Sequence, residues 1–258
     1  MLHDVESVLD RHGDALYHAR LAGTVMGRLE RLDYRRGRDH FDHVAVNVRY
    51  AEAVTLITLG LPRPATDRVN AALADATAMQ TAGTFWLPHL YRHRLEAFGS
   101  QARFSLYQAD EWATRAKHAC ERRRDPLDPQ VNVLIDMSLA RVYLRYDRQD
   151  GSQRALGKAY RLLRPAVESL QEVSYLGPIQ RLSILTTFAR ICWRKQEHDA
   201  WSHYIQEALA LALAAGLQHQ VRKIWEEYGE ALLPLGFAEN SLNPSEARMR
   251  PFLPQDGT

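Results

Sequence analysis

Small residues recur along this chain at a near-constant interval, and that interval limits what the chain can fold into. Ala53, Ala97, Ala140 and Ala189 are separated by 44, 43 and 49 residues, each inside a stretch of helical period. Twelve residues after the first, second and fourth of them stand Ala65, Ala109 and Trp201. In the third segment the matching position is Ala159, and the spacing places the seven extra residues in an expanded loop around Asp147–Ser152. From each of these positions apolar or small residues follow at +4, +7 and +8. They are Val69, Ala72 and Leu73; Ala113, Ala116 and then Lys117; Leu163, Ala166 and Val167; and Ile205, Ala208 and Leu209. Two antiparallel helices cross closely where both carry a small side chain, and larger residues one turn away fill the groove. A recurring unit of this kind buries its apolar face only by stacking on its neighbours.

The local pattern is helical throughout. Leu182, Leu185, Phe188, Ala189, Cys192 and Trp193 fall on one helix face, as do Val221, Ile224, Trp225, Tyr228, Leu232 and Leu235. No segment sustains the alternation of a strand. Breaks stand at Gly60–Pro64, Gly83, Gly99, Asp125–Pro129, Asp147–Ser152, Gly177–Pro178 and Gly216. The pattern predicts a first helix over 5–36 with an interruption at Gly13, then four pairs: 42–59 with 65–81, 86–98 with 103–123, 129–146 with 153–173, and 178–195 with 199–215. A last helix covers 218–235. The expected fold is all-α, an α–α superhelix of about four helix pairs with extra helices at both ends. Its expected organisation is an N-terminal helical cap over 1–41, repeats with a capping helix over 42–237, and a flexible, aperiodic tail over 238–258.

Composition narrows the function. Lys and Arg number 33 against 31 acids, a net charge of +2 that argues against bulk, sequence-independent nucleic-acid binding. Cys120 and Cys192 lie in apolar helical patterns without metal-ligand spacing, so they read as buried, reduced side chains. The first residues carry acids and lack the apolar run of a signal peptide. No apolar stretch approaches the length of a membrane span. A cytoplasmic location is the expectation. GxSxG, HExxH and Gly-rich phosphate loops are all missing from the sequence. The expectation is therefore a protein that is not an enzyme, with no cofactor, no metal and no catalytic residues.

Leu139-Ala140-Arg141-Val142-Tyr143, Phe188-Ala189-Arg190-Ile191-Cys192 and Ile205-Gln206-Glu207-Ala208-Leu209 carry a family pattern. It is a small residue late in a first helix, a second one 12 residues on, a bulky apolar residue 4 further and then an Ala-apolar pair. The pattern resembles the tetratricopeptide repeat over residues 42–235. The interval near 43 exceeds that family's usual period, and the family's Gly beside the first-helix Leu and its regular closing Pro are absent here. The resemblance is to the long-repeat branch found in sensor and effector regions of bacterial transcription regulators. It implies a peptide- or protein-binding array whose first helices line a groove.

Against that register the arginines form a ladder. Arg141 and Arg145 stand at +1 and +5 from Ala140, Arg190 and Arg194 at the same offsets from Ala189, and Arg94 at −3 from Ala97. Residues spaced i,i+4 share a helix face, and guanidinium groups grip carboxylates bidentately. With Asn47, Tyr50, Tyr91, Tyr143 and Trp193 they make the candidate binding groove. The opposing reading is a solvated face in which the arginines pair with acids of the same chain, such as Glu168 and Glu172.

Other clusters carry less. His89 and His93, with Glu96 one turn on, have the spacing of a metal-ligand pair but no third ligand in the sequence; His40 and His43 stand near a helix start. The basic runs Glu121–Arg124 and Arg35–Arg38 are expected to cap helix C-termini. Trp112, Trp193, Trp201 and Trp225 are expected on apolar faces, and Trp86 exposed. The expected function is a non-catalytic protein- or peptide-binding scaffold, the sensor or interaction part of a bacterial regulatory system. Its partner would carry acidic groups, without nucleic acid or membrane, and self-association into a homo-oligomer is compatible with the sequence. A nucleic-acid-binding helical repeat and an enzyme on a helical scaffold are the alternatives.

Overall fold

The computed structural model describes residues 12–31, 38–79, 82–123, 128–150, 153–170 and 176–236. Among them are ten α-helices and two short 3-10 turns, Ala82–Phe85 and Leu233–Leu235, with no strand. The helices are α1 (His12–Arg31), α2 (Arg38–Thr58), α3 (Pro62–Ala78), α4 (Leu87–Gly99), α5 (Leu106–Arg123), α6 (Asp128–Asp150), α7 (Gln153–Glu168), α8 (Pro178–Arg194), α9 (His198–Ala214) and α10 (Gln218–Leu232). The chain is all-α. Among the described residues no helix is long and apolar enough to cross a membrane.

Several boundaries differ from expectation. Helix α1 is described from His12, one residue before Gly13, and the rest of the expected 5–36 helix, including the stretch that precedes it, lies outside the described residues. The seven extra residues of the third pair do not form a loop, because α6 continues to Asp150. Nothing between Asp147 and Asp150 breaks a helix, and Asp147 is buried. Arg38 opens α2, and the rest of the basic run 35–38 lies outside the described residues. Arg122 and Arg123 do lie in the last turn of α5. The tail 238–258 is outside the described residues.

The chain divides into two compact units, residues 1–175 and 176–258. The division falls between the third and fourth pairs, inside the stretch read from sequence as one array. In the first unit α2 packs on α3, α4 on α5 and α6 on α7, with α1 against α2. Each pair also touches the next, through α3 with α4 and α5 with α6. The first helices of successive pairs meet directly as well, α2 with α4 and α4 with α6. In the second unit α8 packs on α9 and α9 on α10.

The small-residue register lies in the core. Ala53, Ala97, Ala140 and Ala189 are fully buried, as are Ala65, Ala109 and Ala159, and Trp201 is nearly so. Leu56, Ala65 and Ala97 form one cluster that joins α2, α3 and α4. The α4–α6 contact is closer still: a methyl group on Gly99 would sit 3.2 Å from Cβ of Val142 and overlap its Cγ2.

The turns repeat too. Gly60 and Gln196, each seven residues past a marker alanine, both take a left-handed backbone, with φ of 70° and 63°. At both turns the next residue's N–H reaches back five residues, Leu61 to Leu56 and Glu197 to Cys192, which caps the helix end in a Schellman turn.

Candidate functional site

The first helices of the first unit are linked by buried polar side chains. Tyr50 of α2 places its hydroxyl 3.0 Å from Nε2 of His93 on α4. Arg92 directs a guanidinium nitrogen to the same Nε2 at 2.5 Å. The other imidazole nitrogen, Nδ1, lies 2.8 Å from Oε2 of Glu96. Oε1 of Glu96 accepts from Arg92 at 3.2 Å and from the Ser138 hydroxyl of α6 at 2.6 Å. Two turns earlier, Trp86 donates its indole N–H to Nδ1 of His43 at 2.9 Å, and this tryptophan is half-buried rather than exposed. A further carboxylate, Glu52, is buried and held by Arg68 at 3.0 Å and Arg20 at 3.5 Å.

The charges are set by these neighbours. Burial, and then the adjacent Arg92, lower the affinity of His93 for a proton. In the neutral ring Nε2 has a single lone pair, which Tyr50 and Arg92 both approach, and Nδ1 faces Glu96. Burial works against ionisation of Glu96, but Arg92, His93 and Arg141 hold its carboxyl well below the usual carboxylate range. With Ser138 fully buried and His93 at 4% exposure, the group lies inside the helix layer rather than in an open cleft. Among the described residues no group of three or more His, Cys, Asp or Glu is placed to hold a metal ion, so His89 and His93 acquire no third ligand there.

The arginine ladder resolves into two kinds of position. Arg94 is half-buried, donates to the Thr66 hydroxyl at 3.2 Å and lies 5.1 Å over the Trp112 ring, which Arg115 also covers. Burial lowers its proton affinity, and Asp67 opposes the shift. Arg141 is half-buried near Glu96. Arg190 binds Glu227 of α10, with Nε 2.9 and 3.0 Å from the two carboxylate oxygens. Burial disfavours its charge, yet the bond to Glu227 raises its proton affinity on balance. The two arginines at +5 remain exposed. Arg145 donates to the Gly99 carbonyl at 3.0 Å, and Arg194 lies in the last turn of α8.

The remaining candidates scatter. Tyr50 belongs to the buried network, and Asn47 is exposed on α2. Tyr143 donates to Asp110, and burial followed by that carboxylate raises its pKa. Trp193 is 37% exposed and packs on Trp201 and Tyr228, with ring centres 4.8 and 5.8 Å away. An open cleft of about 560 Å³ borders it, lined also by Trp225, Tyr228, Leu233 and the acids Glu226, Glu227 and Glu230. A second, of about 550 Å³, lies between the turns Gly60–Pro64 and Gln101–Arg103.

The Glu96–Ser138 and Arg190–Glu227 links were not foreseen. One signal was available: Glu52 and Glu96 each precede a marker alanine, which sets a carboxylate on a face that packs. The chain matches no protein-family model, and no curated protein or solved structure shows significant similarity to it.

Proposed function

We propose that the chain is a non-catalytic helical-repeat scaffold that holds a protein or peptide partner, as the interaction part of a regulatory system. One observation carries this reading. In the first unit, the first helices of successive pairs pack directly on one another, and their acid–base side chains join helix to helix. Tyr50, His93, Glu96 and Ser138 hold the register of a layer, with His93 and Ser138 buried and the polar atoms of all four engaged with one another. The face a layer of this kind offers to solvent is extended and repetitive, which suits an extended partner. Within it the exposed arginine at +5, Arg145, is the position of the ladder that would meet acidic groups of that partner.

The test uses the full chain as bait in extracts of its source cells, beside the variant Arg145→Glu. A discrete partner recovered in stoichiometric amount by the wild type, and bound about tenfold or more weaker by the variant, supports the reading. A chain that recovers nothing beyond the bare resin counts against it.

A further inference from the structure

Helix α1 carries apolar side chains on two opposite sides. Ala15 and Ala19 are buried, with α2 packed against the helix. On the other side Tyr17, Leu21 and Val25 are 63%, 48% and 49% exposed. Residues four apart on a helix lie nearly above one another, so these three make one stripe. Asp14 and Arg28, both exposed, extend the same stripe at its two ends. A contiguous apolar stripe with a polar rim marks an interaction surface rather than ordinary surface scatter.

The order of residues along the stripe selects what covers it. Counted from Leu21, it reads Asp14, Tyr17, Leu21, Val25 and Arg28 at −7, −4, 0, +4 and +7. A two-fold axis through Leu21, with two such helices antiparallel, sets Leu21 on Leu21, Tyr17 on Val25 and Asp14 on Arg28. Acid then faces base at both ends. That is the self-complementarity an isologous interface requires. A parallel pairing would oppose Asp14 to Asp14 and Arg28 to Arg28, which like-charge repulsion disfavours. We infer that α1 is the surface through which two copies of this chain associate, antiparallel about Leu21. The inference stands apart from the partner-binding reading, and either survives failure of the other.

The experiment is the oligomeric state of the full chain and its disulfide trapping. At a concentration on the order of 50 µM the wild type is expected at twice 29.5 kDa by light scattering. Leu21→Glu should be monomeric at that concentration with an unchanged helical circular-dichroism spectrum. Under mild oxidation Leu21→Cys should link to its own copy. Tyr17→Cys and Val25→Cys should each link poorly alone and well when mixed. Cys120 and Cys192 are buried, so the wild type serves as the blank. Asp14→Arg should weaken the dimer, and the exchange D14R/R28D should restore it. A monomeric wild type overturns the inference. So does a dimer that Leu21→Glu leaves intact, or a Leu21→Cys chain that fails to link.

Discussion

The Tyr50 hydroxyl lies 3.0 Å from Nε2 of His93, a residue 43 positions further along the chain. That separation is one residue short of the 44 between Ala53 and Ala97. Ser138 stands 42 residues beyond Glu96, against 43 between Ala97 and Ala140. The polar links therefore share the period of the small residues. Close packing of alanines sets how near successive first helices come, and the Tyr50–His93–Glu96–Ser138 chain sets how far one slides past the next. Apolar contact tolerates a shift that a directional hydrogen bond does not.

Glu96 is the member of this chain with most to lose. Its side chain is 15% exposed and that of Arg92 is 11% exposed. Removing the carboxylate leaves the Arg92 charge without its counter-ion in a largely buried site and the Ser138 hydroxyl with the Leu134 carbonyl alone. Glu96→Ala is expected to lower unfolding stability by about 3 kcal/mol in urea titration. Glu96→Gln keeps an acceptor for Ser138 and should lose less. Equal losses from the two variants would mean that the charge alone matters there.

The same network gives the stability a pH dependence of definite sign. His93 in the folded chain binds a proton less readily than the ordinary value of 6.5, because it is buried and beside Arg92. Below that pH the unfolded chain holds a proton that the folded chain refuses, so acid favours unfolding. Its contribution is complete above pH 6.5 and is lost as pH falls towards the folded value. Glu96, also depressed, adds a second loss below its ordinary 4.5. The urea midpoint of the wild type should fall between pH 7.5 and 5.5, and His93→Gln should show a flatter profile over that range. Parallel profiles would remove His93 as the titrating group.

Much of the fold was legible because helices and small-residue packing have short sequence periods. Ala53, Ala97, Ala140 and Ala189 could be read from spacing, and all four are buried. The length of α6 is not legible because Asp147, Asp150 and Gly151 resemble a turn in sequence, whereas Asp147 is buried and the helix extends to Asp150. The division after residue 175 left no mark in that spacing, since small residues recur on both sides of it. Partners of the arginines were harder still. Glu227 meets Arg190 across 37 residues of chain, and nothing local at Arg190 distinguishes a paired guanidinium from an exposed one. Arg145 and Arg194, at the same offset from their alanines, both stay exposed, so register sets exposure but does not name the partner.

Gly99 tests the closest approach in the first unit. It ends α4 against Val142 of α6, and its carbonyl accepts from Arg145. A methyl group at position 99 overlaps the Val142 side chain, so one helix must shift. Gly99→Ala should cost about 1–3 kcal/mol despite its better helix propensity. Adding Val142→Ala removes the overlap, and the pair should recover part of that loss in a double-mutant cycle. Independent, additive losses would show that the two helices do not meet as tightly as this geometry requires.

Gln196 makes the reverse prediction. It holds φ of 63° at the turn between α8 and α9, where the equivalent turn after α2 uses Gly60 at 70°. A side chain with a β-carbon is disfavoured in that region, and glycine adopts it without steric cost. The capping bonds there come from backbone, Gln196 N–H to the Trp193 carbonyl and Glu197 N–H to the Cys192 carbonyl, so the substitution removes none of them. The extra freedom of glycine in the unfolded chain offsets part of the relief. Gln196→Gly is therefore expected to stabilise the second unit by about 0.5–1 kcal/mol, read as a higher melting temperature. Gly60→Ala, at the equivalent turn of the first unit, should do the opposite by a similar amount. If both substitutions lowered the melting temperature, the Gln196 side chain would hold a contact that outweighs its backbone strain.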